Sequence, residues 1–121
     1  NRMRTFIFTT ALPPLNVAWT KFILSRLGGW NDRRERLAEA ALRVQAAVRG
    51  ACRECPSSSH IVPFIVGESN QTILKAEDIQ RKGFYVLPVR PPTVPEGTSR
   101  LRISLTAAVT EEEVDSLCRE L

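Results

Sequence analysis

Residues 90–106 read Arg90-Pro-Pro-Thr-Val-Pro-Glu-Gly-Thr-Ser-Arg-Leu-Arg-Ile-Ser-Leu-Thr106, a proline-rich stretch that runs into an alternating one. Proline fixes φ and lacks a backbone donor, so the first half of the stretch predicts a stiff loop and excludes a central strand. In the second half apolar and polar residues alternate, which predicts a strand with one buried face. The stretch therefore predicts a rigid loop leading into a half-buried strand whose polar face carries arginines.

The rest of the chain supplies further strands and helices around this strand. Short β-branched and aromatic runs predict strands, and apolar residues at helical spacing between capping residues predict helices. Further strands are expected at 5–9, 60–66 and 84–89. Helices are expected from 14 to the glycines at 28 and 29, from 31 to a break at 50, from 70 to 82, and from 110 to 121.

The predicted order indicates an α+β fold for most of the chain. Its last five elements form a small, mostly antiparallel three-stranded sheet covered by helices. The first strand and the first helix do not obviously belong to that unit, and this predicts that they come from the edge of something larger.

Size and charge limit the possible functions. The chain has 121 residues and a net charge of +4, which is the size of one globular domain. No run reaches the roughly 18 to 20 apolar residues of a membrane span, so we expect a cytoplasmic protein without a membrane partner. Basic residues are interspersed with acids and form no reader motif, so no nucleic-acid partner is expected.

Cysteine usage predicts neither a disulfide framework nor a metal site. The three cysteines are an odd number, which is unlike a secreted disulfide scaffold. Cys52 and Cys55 have CxxC spacing and His60 follows, but zinc needs four ligands and no second pair is present. We therefore expect no metal, and we interpret these thiols as incidental.

Arginines mark the candidate site. Arg90 directly follows the end of one predicted strand, while Arg100 and Arg102 lie on the polar face of the next. A guanidinium is planar and binds carboxylates through paired hydrogen bonds. Two interpretations are open from the residues alone: a carboxylate-binding site, or solvated and salt-bridged arginines on an exposed sheet face.

Four segments together resemble the C-terminal part of the α-oxoamine synthases, which are pyridoxal-phosphate-dependent acyltransferases of the aspartate-aminotransferase fold. The segments are RPPTVPEGTSRLRISLTAA, IVPFIVG, GFYVLPV and FIFTTALPP. The resemblance implies that residues 1–30 end a large cofactor-binding domain and residues 31–121 form the C-terminal small domain. The Arg-Pro-Pro-Thr loop is most similar to the biotin-pathway branch of the family. The 5-aminolevulinate synthases usually carry Asn-Tyr-Pro-Thr there, and the 2-amino-3-ketobutyrate ligases carry Arg-Phe-Pro.

The same resemblance implies roles for particular residues. Arg102 matches the strand arginine that binds the α-carboxylate of the amino-acid substrate, and Thr93 matches the loop threonine that contacts substrate. Arg90 is implied as a secondary charge near the site. Thr9 and Thr10 match a motif near the phosphate of the pyridoxal phosphate (PLP) bound in the neighbouring subunit, which implies a homodimer.

The implied reaction condenses pimeloyl-CoA, or pimeloyl bound to acyl-carrier protein, with L-alanine and releases carbon dioxide. Two alternatives stay open: another α-oxoamine synthase, of the glycine C-acetyltransferase or 5-aminolevulinate synthase type, and a stand-alone α+β module that binds anions or dimerises.

The resemblance also implies that the catalytic lysine lies elsewhere. None of Lys21, Lys75 and Lys82 has the Gly/Ser-rich surroundings of the lysine that binds PLP in this family, and His60 is interpreted as structural. We therefore expect that lysine upstream of Asn1, in a parent about three times as long, and no catalysis from this chain alone.

Overall fold

The structure is a computed structural model that describes residues 11–52 and 55–121, with only the backbone of Cys52. The predicted strand at 5–9 lies outside the described residues, as do Thr9 and Thr10. The chain divides into two compact units, one ending at Asp32 and the other spanning Arg33–Leu121. Among the helices described here, none combines the length and apolar character needed to cross a membrane.

In the first unit, a helix with apolar residues on all sides begins at two consecutive prolines. Helix α1 spans Pro14–Arg26, with Pro13 at its N-cap, and a 3-10 turn at Leu27–Gly29 follows it. Proline suits a helix start because its missing N–H would have no helical partner there. No residue of α1 is buried, and its most exposed large apolar side chains are those of Leu15, Trp19 and Leu24. The helix therefore presents a large apolar surface.

The other elements form a three-stranded antiparallel sheet with helices. They are α2 (Asn31–Cys52), β1 (Ile61–Gly67), α3 (Ser69–Arg81), β2 (Leu87–Val89), β3 (Ser99–Ser104) and α4 (Glu111–Glu120). The strand order is β1-β3-β2, and both pairings are antiparallel. This confirms the predicted small antiparallel sheet of an α+β unit.

The core lies between one face of this sheet and the helices. Val62 and Phe64 of β1 pair with Ile103 and Leu101 of β3, and all four are at most 7% exposed. The helical side of the core consists of Ala40, Ala41, Val44 and Val48 of α2, Ala76 and Ile79 of α3, and Val114 and Leu117 of α4. The alternation predicted for 100–105 is confirmed, because Leu101 and Ile103 are buried while Arg102 and Ser104 are exposed.

Helix α4 begins with the predicted capping box. The backbone N–H of Glu113 donates to the Thr110 hydroxyl at 3.2 Å, and the N–H of Thr110 donates to the Glu113 carboxylate at 2.8 Å. Two free N–H groups at the helix start are satisfied in this way. Asp115 of α4 also forms an ion pair with Arg43 of α2.

The end of α2 and the start of α3 differ from the predicted positions. Helix α2 continues through Gly50 to Cys52, because a glycine in a helix costs only about 1 kcal/mol and Val48 is fully buried just before it. Helix α3 begins at Ser69, one residue before the predicted cap, because Glu68 takes the N-cap position. The Thr72 hydroxyl donates to the Glu68 carbonyl at 2.7 Å and reinforces this first turn.

Strand β2 is shorter than predicted, because the backbone groups of the residues before it form hydrogen bonds with residues of α3. The N–H of Phe84 donates to the carbonyl of Ile79 at 3.2 Å. The carbonyl of Val86 accepts from the Gln80 side chain at 2.8 Å. These groups are therefore unavailable to a sheet ladder, and regular pairing is limited to Leu87–Val89.

Candidate functional site

The sheet has a second face that the helices of this unit do not cover, which we call the open face. Cross-strand pairing places Arg102 beside Pro63 and Leu87, and Arg100 beside Ile65 and Val89. Residues paired directly across antiparallel strands share a face. Arginines on the central strand are thus flanked on both sides by apolar residues, and the face is completed by Ile61 and Ser104.

Arg102, the predicted carboxylate ligand, lies at the centre of the open face and is exposed. Its Nε lies 3.4 Å from the Ser104 hydroxyl oxygen. Within residues 11–52 and 55–121 the ion pairs are made by other cations, and no carboxylate pairs with Arg102. Its two terminal nitrogens are therefore free to bind an anion in this unit, which is the geometry a bidentate carboxylate requires.

The loop between β2 and β3 holds the other two predicted substrate residues. Arg90 and Thr93 are exposed, and the N–H of Thr93 donates to the Arg90 carbonyl at 3.0 Å, which closes a turn around a cis Pro91–Pro92 bond. The Thr93 hydroxyl makes no hydrogen bond within the described part of the chain. Because β2 ends opposite Arg100, this loop lies at the end of the sheet nearest to the arginines.

The end of the loop is fixed to its surroundings. Thr98 donates to the Pro95 carbonyl through both its N–H, at 3.2 Å, and its hydroxyl, at 2.7 Å. Gly97 has φ +74°, a conformation that favours glycine. The buried Ser99 hydroxyl lies 3.1 Å from that of Ser69, at the start of α3. These contacts hold the entry to β3, and hence the base of its arginine-bearing face.

Arg100 is an arginine of the predicted polar face to which the resemblance assigned no role. It lies two positions before Arg102 on the same face, is half-buried, and donates from Nε to the Thr98 carbonyl at 3.0 Å. The period-2 alternation placed it on the polar face. Its apolar flanks were not foreseen, because they depend on which residues of β1 and β2 pair with it.

The described lysines of the second unit are both engaged by oxygen atoms. Lys75 donates to the Leu121 carbonyl at 3.3 Å and lies over the Phe64 ring at 4.6 Å. Lys82 contacts carboxylate oxygens of Glu120 and Asp78 at 2.6 and 2.9 Å. These hydrogen bonds, that of Glu120 first, raise the pKa of Lys82. A lysine held as an ammonium in this way is unsuited to act as a nucleophilic amine.

The described thiols and the histidine were candidates for a metal site. Within the ranges the structure describes, no three His, Cys, Asp or Glu side chains could hold a metal ion together. Cys55 and Cys118 pack against the core, and burial raises the pKa of the Cys118 thiol. His60 is exposed, and its carbonyl accepts from Leu105 N at 3.0 Å next to the β1–β3 ladder.

Relatives share this sequence over nearly its whole length. The family model of class I and II aminotransferases matches residues 1–121. A protein of Haemophilus influenzae and one of Neisseria meningitidis, both provisionally named 8-amino-7-oxononanoate synthase, are each 50% identical over 94% of this chain. The chain spans 30% of the length of each of these relatives.

Solved structures show the same fold. A serine palmitoyltransferase of Sphingomonas wittichii superposes with a TM-score of 0.85 at 28% identity, covering 97% of this chain and 30% of that one. An 8-amino-7-oxononanoate synthase of Francisella tularensis superposes with a TM-score of 0.77 at 26% identity, covering 97% and 34%. Another match, at a TM-score of 0.87, is a serine palmitoyltransferase structure with PLP. The predicted resemblance is thereby confirmed: the chain belongs to the class I and II aminotransferase family, and its relatives there are PLP-dependent α-oxoamine synthases.

Proposed function

We propose that this chain is the C-terminal part of a synthase that condenses a pimeloyl thioester, of CoA or of acyl-carrier protein, with L-alanine to give 8-amino-7-oxononanoate. The reaction releases carbon dioxide and the carrier thiol. The observation that carries the proposal is Arg102, exposed at the centre of the open face without a carboxylate partner in the described chain. The names of the relatives that are 50% identical support the choice of substrates.

In this proposal the two units belong to different domains. Residues 1–30, with α1, end the large domain, and residues 31–121 form the small domain. The exposed apolar surface of α1 supports this division, because a helix that is apolar on all sides is stable in water only when other protein covers it. The parent enzyme is a cytoplasmic homodimer.

Arg102 binds the α-carboxylate of L-alanine. Its Nε is directed at Ser104, so the two terminal nitrogens face the substrate and donate two parallel hydrogen bonds to the carboxylate oxygens. The apolar neighbours Pro63 and Leu87 lie beside Arg102 on the two adjacent strands and offer no competing charge to the carboxylate. Arg102 thus sets the orientation of the amino acid during the reaction.

The described residues of this chain are proposed to accompany PLP rather than to hold it covalently. Lys75 and Lys82 are both engaged by other groups, and Lys21 lies in α1 without the Gly/Ser-rich surroundings of the family's PLP lysine, so the lysine that binds the cofactor is proposed to lie in another part of the parent enzyme. Thr9 and Thr10 are proposed to donate hydrogen bonds to the cofactor phosphate in the neighbouring subunit. When bound, PLP supplies the electron sink for the bonds that break at the α-carbon.

The loop residues complete the proposed substrate site. Among the described residues only the backbone N–H of Thr93 is used in the turn, so its hydroxyl is proposed to hydrogen-bond with substrate. Arg90, at the start of the same turn, adds positive charge near the bound anions. The stiffness that the prolines give this loop keeps both groups in place before substrate arrives.

The test is product formation by the full-length protein. Purified holoenzyme is incubated with L-alanine and either pimeloyl-CoA or the pimeloyl carrier protein, and 8-amino-7-oxononanoate is measured by mass spectrometry. Glycine with acetyl-CoA and glycine with succinyl-CoA serve as matched alternatives. Turnover only with glycine would reassign the protein to a sibling synthase. No turnover and no PLP absorbance would favour a stand-alone anion-binding or dimerisation module.

A further inference from the structure

We propose that Arg100 binds the terminal carboxylate of the acyl substrate and so selects acyl thioesters that end in a carboxylate. This inference rests on the proposed function and adds a specificity-determining residue to it. It follows from the position of Arg100 on the open face, its unused donors and its apolar neighbours.

The open face carries two guanidinium-bearing residues in line on β3. Arg100 and Arg102 are two residues apart on one strand, so their Cα atoms are separated by about 7 Å. The proposed reaction brings together two carboxylates: that of the amino acid and that at the far end of the acyl chain. The two carboxylates belong to different substrates, and the methylene chain of the acyl group holds its terminal carboxylate away from the reacting thioester carbon. Both carboxylates must be neutralised if they leave water.

Arg100 is oriented and has donors to spare. Its Nε donates to the Thr98 carbonyl at 3.0 Å, at the fixed end of the β2–β3 loop. Within the described ranges no carboxylate pairs with it, although it is half-buried. A guanidinium that is partly removed from water and lacks a counter-ion gains most from a charged ligand.

The residues beside Arg100 suit an aliphatic chain. Ile65 of β1 and Val89 of β2 pair with Arg100 from its two sides, and both are half-buried. Ligand sites for such chains combine apolar walls with a few polar groups that fix orientation. A phosphate of the carrier would contact the guanidinium alone. An acyl chain that ends in a carboxylate contacts both the guanidinium, through the carboxylate, and the apolar side chains beside it, through its methylene groups.

The experiment compares two acyl thioesters of equal chain length in the full-length holoenzyme. Pimeloyl-CoA ends in a carboxylate, and heptanoyl-CoA carries a methyl group in its place and is measured as a substrate or as a competitive inhibitor. We expect Arg100→Gln to raise KM for pimeloyl-CoA about 10-fold to 100-fold, the range for a lost hydrogen bond to a charged group. In the same variant, the affinity for heptanoyl-CoA and the KM for L-alanine stay within about twofold of their wild-type values. Arg100→Lys, which keeps the charge, recovers part of the loss.

The controls separate the possible failures. Arg119→Gln removes an exposed arginine from α4 and leaves both thioesters unaffected, while PLP absorbance and the melting temperature report folding. Equal weakening of both thioesters overturns the inference in favour of a carrier-phosphate contact. Unchanged discrimination in an Arg100→Gln enzyme that still makes product overturns the inference alone. A wild-type holoenzyme that makes no product from pimeloyl thioesters and L-alanine overturns the proposed function as well.

Discussion

Replacing Arg102 by leucine removes the proposed carboxylate ligand and leaves the fold in place. The side chain is exposed, and its Nε lies 3.4 Å from the Ser104 hydroxyl oxygen. Two terminal nitrogens remain for the substrate. Because the face is open, we take the lower end of the range for a hydrogen bond to a charged group, about 1.5 kcal/mol each and about 3 kcal/mol together. That energy corresponds to a fall of about 150-fold in kcat/KM for L-alanine.

The assay is steady-state turnover of the full-length holoenzyme at varied L-alanine and saturating pimeloyl thioester. Arg102→Lys retains the charge but not the planar fork, so a smaller loss is expected. Arg119→Leu is the matched control on an exposed helix. Melting temperature and PLP absorbance should match the wild type in all variants. A kcat/KM for the Arg102→Leu enzyme within about threefold of wild type, with normal folding, would refute the assignment.

Three further predictions concern the fold of the second unit. Leu101→Ala, at a fully buried position, should lower the free energy of unfolding by about 2–5 kcal/mol in denaturant titrations, and a loss under about 1 kcal/mol would contradict its central place in the core. Thr110→Ala should lower the free energy of unfolding by about 1 kcal/mol, because it removes the hydroxyl that accepts from the Glu113 N–H. Thr110→Asp should retain most of this stability, because its carboxylate can accept the same hydrogen bond. Lys82→Met should lower the melting temperature more at low salt than at high salt, because exposed ion pairs are screened. The hydrogen bond from Lys82 lowers the pKa of Asp78. The stability that this ion pair gives the folded state is therefore present above pH 3.8 and is lost as pH falls further. The pKa of Lys82 is raised, so its contribution is complete below pH 10.5 and is lost as pH rises beyond that value. Melting curves across both limits check these signs.

Local patterns predicted most elements of the sheet unit. The alternation at 100–105 and the capping box at Thr110 depend on neighbouring residues, and both are confirmed. The predicted start of β2 was wrong, because the true start depends on a side chain of another element. The side chain of Gln80, in α3, donates a hydrogen bond to the Val86 carbonyl, which is then unavailable to the sheet. The end of α2 was wrong because packing of Val48 outweighs the low helix propensity of Gly50.

For the candidate site too, the sequence predicted some features, and others depend on residues that are distant along the chain. Motif resemblance indicated Arg102, Thr93 and Arg90, and the structure places the loop beside the end of the arginine-bearing strand. The flanks of the arginines could not be predicted, because the register that brings Ile65 and Val89 beside Arg100 is set by three strands that are distant in sequence. The roles of these residues toward substrate stay predictions.

The most direct test of the central claim is a crystal structure of the full-length holoenzyme with L-alanine bound. The account predicts that the terminal nitrogens of Arg102 lie about 2.7–2.9 Å from the two carboxylate oxygens, with the Thr93 loop beside them. A carboxylate bound by a different residue, with Arg102 paired to an acidic side chain from the preceding part of the protein, would contradict the account.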